Sequence, residues 1–133
     1  MTIFTIRLED QPGTLAALAE SISRRGIDIR AVGGGGIGAS GIVSVATDND
    51  VITREALRAD GFEFIESEAI LADVEDKPGS LAKTTRALAD AGVNIRAVLV
   101  MRSSGGMARL AIAVGDPAKA KLVLGSSVVA AGA

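Results

Sequence analysis

The sequence predicts an α+β protein made of two tandem βαββαβ repeats, each an antiparallel sheet with both helices on one face. Three observations predict it. First, Glu9-Asp10-Gln11-Pro12-Gly13-Thr14-Leu15-Ala16 returns 66 residues later as Glu75-Asp76-Lys77-Pro78-Gly79-Ser80-Leu81-Ala82. Second, residues 8–32 align without a gap to 74–98, with eleven of 25 pairs identical, the mark of a tandem duplication. Third, period-two and period-3.6 apolar segments alternate within each copy.

The elements follow in order. Thr2 to Leu8 sets Phe4, Ile6 and Leu8 against Thr5 and Arg7, the pattern of a half-buried strand. The Pro-Gly turn follows, and Pro12 is well placed to start a helix. Leu15, Leu18, Ala19 and Ile22 fall on one helical stripe. Gly26 stops that helix. Ile27 to Val32 reads as a second strand, then comes a glycine-rich connection, and Ile42 to Thr47 is a third strand. Asp50 caps a helix over 51–60, Gly61 ends it, and Phe62 to Ser67 is the fourth strand. The second copy runs 69–74, 79–91, 93–100, 107–114, 117–124 and 127–130, with Asp116 and Pro117 opening its second helix. Its last strand, Ser127 to Ala130, is short and alanine-rich. The domain boundaries are 1–66 and 67–133.

Composition excludes several functions. Hydrophobic residues make up 48% of the 133 and charged residues 23%, as in globular chains. No run is long and apolar enough to span a bilayer. No basic-then-apolar leader opens the sequence, so a cytoplasmic location is expected. The net charge is −2, the charges are interspersed, and Phe4, Phe62 and Phe64 are the only aromatic side chains. A nucleic-acid surface is therefore not expected. There is no His and no Cys, which removes the commonest general base, the thiol nucleophile and the ordinary zinc ligands. No catalytic, metal or cofactor site is expected. Gly36-Ile37-Gly38-Ala39-Ser40-Gly41 fits a dinucleotide fingerprint, but that motif must open a helix, and Ile42 to Thr47 reads as strand. Asp48 and Asp50 are explained by solvent and by helix capping.

The repeated turn has two physical uses. Asp10 and Asp76 stand near helix N-termini, where a carboxylate stabilises the helix. Gly13 and Gly79 also let an anion approach the free amide end of the helix, beside a carboxylate suited to an ammonium group. Together these match the two ends of an amino-acid zwitterion. Asp28 and Asn94 open the second strands and would complete a site across a pseudo-two-fold. Arg30 and Arg96, two residues further on, share their face.

A strand, Asp-x-Pro-Gly-x-Leu, and a helix ending in Gly92-Val93-Asn94-Ile95 or Gly26-Ile27-Asp28-Ile29 resemble the ACT domain, over nearly the whole chain and twice. The resemblance implies a ferredoxin-like fold, pairing side by side into an eight-stranded sheet, and a small-molecule regulatory role, most often amino-acid sensing. It implies ligand contacts at Asp10, Gly13 and Asp28, and at Asp76, Gly79 and Asn94, with Gln11, Pro12, Thr14, Leu15, Lys77, Ser80 and Leu81 from the same turns. The expected partners are a small-molecule amino acid, a second copy in a homodimer, and a regulated enzyme or regulator. Asp28 departs from the pattern, since a carboxylate only accepts where an amide also donates. The first turn with Asn94 is therefore the preferred site. The alternatives are a ligand-free oligomerisation module, an enzyme on the same fold, and a repressor-type ACT pair acting through a partner.

Overall fold

The computed structural model describes residues 1–129, and they fall into two units, Thr2–Glu66 and Ser67 onward with Met1. The first contains β1 (Thr2–Glu9), α1 (Thr14–Ser23), β2 (Ile29–Ile37), β3 (Ser40–Thr47) and α2 (Asp50–Ala59). It ends on the start of β4 (Glu63–Glu75), whose remaining residues open the second unit. There α3 (Ser80–Asp90), β5 (Ile95–Ser104), β6 (Met107–Val114) and α4 (Pro117–Leu124) follow.

Strand order in the first unit is β2-β3-β1-β4, with β3 antiparallel to both β1 and β2. Helices α1 and α2 cover one face, because Leu18, Ile22 and Leu57 share a core with Phe4, Ile6, Ile27 and Val45. Phe64 tilts against Phe4 with ring centres 6.0 Å apart. The second unit runs β4-β6-β5. Leu88 from α3 and Ala120 from α4 pack with Ile70, Ala72, Leu110, Ile112 and Val114. Both expected βαββ cores, with helices on one side, are present.

Several boundaries differ from expectation, each for a local reason. The described residues hold six strands rather than eight. Two of the expected strands are one: residues 63–75 run on as β4, since no Gly or Pro interrupts them. The expected strand 127–130 is reduced to a 3₁₀ turn at Gly125–Ser127 and a single bridge from Val128 to Ala72. Its last residue, Ala130, lies outside the described residues.

The glycine-rich connection is instead strand. Gly33 to Gly36 continue β2, paired to Ser44, Val43, Ile42 and Gly41. Helix α1 starts at Thr14 behind Gly13, not at Pro12. Asn49, not Asp50, caps α2, its side chain accepting from Ile52 N at 3.0 Å. Asp48 is not merely solvated, because its carboxylate accepts from Asp28 N at 3.0 Å. Asp116 caps α4 as expected, accepting from Lys119 N.

Candidate functional site

The two Pro-Gly turns are built alike from backbone upward. In the first, Asp10 N donates to Ala39 O at 3.1 Å, Gln11 N to Glu9 O at 2.9 Å and Thr14 N to Gln11 O at 3.4 Å. In the second, Asp76 N donates to Gly106 O at 2.8 Å, Lys77 N to Glu75 O at 3.0 Å and Ser80 N to Lys77 O at 3.3 Å. Each turn is thus tied to the tip of its own hairpin. Gly13 and Gly79 take φ of 92° and 91°, a left-handed backbone that side chains disfavour. Neither helix receives a side-chain cap. Among the described residues, the N–H groups of Leu15 and Ala16, and of Leu81 and Ala82, have no acceptor. Such groups at a helix start favour an anion.

Side chains then divide the turn. Gln11 Nε2 donates to Glu9 Oε2 at 2.6 Å, and Lys77 Nζ lies 2.7 Å from Glu75 Oε2. The hydrogen bond from Lys77, with its charge, holds Glu75 below the usual carboxylate range. Gln11 and Lys77 therefore brace the turn. Thr14 Oγ1 does the same, donating to Glu9 O at 2.8 Å and Gln11 O at 3.1 Å.

The carboxylates of Asp10 and Asp76 are left to differ. Asp76 Oδ2 accepts from Ser103 Oγ at 2.6 Å. Asp10 accepts no hydrogen bond among the described residues and lies over Gly36. The strand registers make Gly36 and Ser103 equivalent: Leu8 faces Gly41 and Gly41 faces Gly36, while Val74 faces Ala108 and Ala108 faces Ser103.

Around Asp10 a cleft of about 400 Å³ opens between the start of α1 and the glycine stretch of β2. Leu8, Thr14, Leu15, Val32 and Val43 wall it, with Gly33–Gly36 and Gly41 as its floor. Bare glycines leave room that side chains would fill. This size, mostly apolar with a few converging polar groups, suits a small ligand. The second turn faces a different cavity, about 640 Å³, lined by Pro78, Gly79, Ser80, Thr84, Val123 and Leu124 but not by Asp76.

The strand-opening residues do not join the turn of their own repeat. Ile29, next to Asp28, pairs with Thr47, whereas Glu9, next to Asp10, pairs with Ser40 at the far end of β3. Asp28 is engaged locally, 3.4 Å from Arg30 Nε. Asn94 is exposed, and its side chain makes no hydrogen bond among the described residues, though its carbonyl accepts from Gly115 N. The glycine floor and Val32 were not expected in the site. Their signal was four consecutive glycines directly after a strand, which remove every side chain from both faces.

The family model described as "ACT domain pair" matches residues 1–73, and that described as "ACT domain" matches residues 69–125. No curated protein sequence matches. Among solved structures, a protein from Bacteroides thetaiotaomicron is similar with a TM-score of 0.77 and 22% identity, over 92% of this chain and 85% of that one. The ligand-free regulatory subunit of aspartate kinase from Thermus thermophilus has a TM-score of 0.66 and 24% identity, over 92% and 86%. The corresponding subunit from Thermus flavus has 0.65 and 22%, over 92% and 88%. At these identities the likeness is one of fold.

Proposed function

Because the chain belongs to the ACT domain family, we propose that it is a non-catalytic regulatory protein whose first repeat binds an amino acid or a similar small zwitterion at residues 10–15. One observation carries this reading: Asp10 offers an unengaged carboxylate in an apolar cleft, beside the unpartnered amides of Leu15 and Ala16. The ligand's ammonium meets Asp10, its carboxylate meets the helix end, and its side chain lies over Gly33–Gly36. Asn94, with its free amide, is proposed as a further ligand contact. The second turn is the weaker binder, since Ser103 already occupies Asp76. Occupancy would regulate a partner enzyme or regulator by favouring one state of association. A coupling of about 1–3 kcal/mol is typical of such control. The kinase regulatory subunits are consistent with this role.

A second reading, a ligand-free association module, is favoured by exposed apolar side chains in the first repeat: Ile37, 91% exposed at the hairpin tip, and half-exposed Val32 and Leu15. A thermal-shift screen against the common amino acids decides. A ligand at 100 times its Kd stabilises the chain by about 2.7 kcal/mol. If none raises the melting temperature, the association reading replaces this one.

A further inference from the structure

A row of three charged residues crosses the second repeat. Asp73 on β4 pairs with Arg109 on β6, and Arg109 pairs with Arg102 on β5. Residues directly opposite in antiparallel strands point to one face, so all three stand together. Arg109 donates from Nε to Asp73 Oδ1 at 2.8 Å and from Nη2 to Oδ2 at 3.0 Å. That fork uses both oxygens of the carboxylate, and Arg109 is only 17% exposed. Its hydrogen bond holds Asp73 below the usual carboxylate range, with Arg102 adding in the same direction.

Arg102 is therefore left over. It forms no ion pair among the described residues, and it faces a second guanidinium across the ladder. Like charges in that position repel. A register irregularity between Val100 and Arg102 re-aims this stretch of β5, as bulges beside functional sites do. Ser104 and Met107 join the three charged residues around a depression of about 460 Å³. In the first repeat the same registers give Arg7, Ile42 and Gly35. The fold is made there without a second arginine, so folding does not explain it here.

We infer that this depression binds a compact oxyanion, the carboxylate or phosphate group of a small metabolite. Arg102 supplies a guanidinium fork suited to either group. Arg109 adds Nη1, which makes no hydrogen bond among the described residues, and Ser104 adds a hydroxyl. Asp73 keeps Arg109 in place and limits the net charge of the row to one positive unit. A single anionic group neutralises it.

The test is calorimetric titration of the full chain at constant ionic strength, with inorganic phosphate and, separately, with succinate. One anion is expected to bind per chain. Arg102→Gln weakens it at least tenfold, Arg102→Lys weakens it less, and Arg86→Gln, an exposed arginine elsewhere in the repeat, leaves it unchanged. Tighter binding of phosphate identifies a phosphate ester as the source, and tighter binding of succinate a carboxylate. The inference is overturned if neither probe binds, if Arg102→Gln and Arg86→Gln act equally, or if chloride competes as well as the probes.

Discussion

The carboxylate of Asp10 lies against the bare Cα of Gly36: a Cβ built there would stand 2.7 Å from Oδ2 and 3.0 Å from Cγ. The backbone of Asp10 is anchored separately, by its N–H on Ala39 O at 3.1 Å. The side chain would have to yield most, and backbone Ser40 O, at 3.3 Å, by a few tenths of an ångström.

Three neighbouring glycines should accordingly respond in three ways. Gly36→Ala displaces the Asp10 carboxylate, lowering amino-acid affinity about tenfold while stability changes by less than about 1 kcal/mol. At Gly34 a Cβ would meet backbone Ile42 O at 2.5 Å and Val43 Cγ2 at 3.0 Å, so Gly34→Ala costs about 1–3 kcal/mol. A Cβ at Gly35 meets nothing within 4 Å, and Gly35→Ala is neutral or stabilising by up to about 1 kcal/mol. Urea unfolding with ligand titration of each variant checks the order. Equal stability losses at 34 and 36 would contradict it.

Helix α2 tests the cap. Asn49 accepts from Ile52 N at 3.0 Å, while Asp50 only adds charge in the first turn. Asn49→Ala is expected to cost about 0.5–2 kcal/mol. Asp50→Ala should cost less, about 0.3–1 kcal/mol. Chemical denaturation of the two variants settles the order, and a larger loss for Asp50→Ala would reverse the assignment.

Acid should weaken the fold through paired carboxylates. Asp60 is held below its ordinary range by hydrogen bonds from Ser21 and Arg25 and by the nearby arginines. Glu66 is lowered by its hydrogen bond from Arg54, and Asp73 by that from Arg109. A folded pKa below the unfolded one gives stability that is complete above the unfolded value, about 4. It is lost as pH falls through the folded value. Urea midpoints should therefore not fall through loss of these pairs between pH 8 and pH 5, but should fall below about pH 4. Asp60→Asn should reduce that fall. An unchanged acid slope in Asp60→Asn would exclude a contribution from this group.

Much of this was legible in the sequence. Both turns could be read because Pro and Gly fix them locally, and because a second copy repeats them. Helix α1 was legible through Leu18 and Ile22, but Leu15 on the same expected stripe is 54% exposed, and the helix starts behind Gly13, with its left-handed backbone, rather than at Pro12. Strand β4 was not, since the break expected near Ser67 needs a turn residue that Glu68 does not supply. The contrast between Asp10 and Asp76 was hidden for another reason. A constant spacing of 66 aligns Gly36 with Arg102, but the irregularity in β5 moves the true counterpart to Ser103. Only the strand register reveals which carboxylate has a partner.

That contrast gives a prediction of its own. Ser103→Ala frees Asp76 and should strengthen any second, weaker amino-acid site by up to about tenfold, the worth of one hydrogen bond. Titration at high ligand concentration measures it. An unchanged second site would mean that Ser103 does not govern the difference between the turns.

The most direct test is calorimetric titration of the amino acid found by screening into wild type, Asp10→Asn and Asp76→Asn. Tight binding of one equivalent per chain is predicted, at least tenfold weaker in Asp10→Asn and little altered in Asp76→Asn. Wild-type affinity in Asp10→Asn, or a greater loss in Asp76→Asn, would contradict the assignment of the first turn as the ligand site.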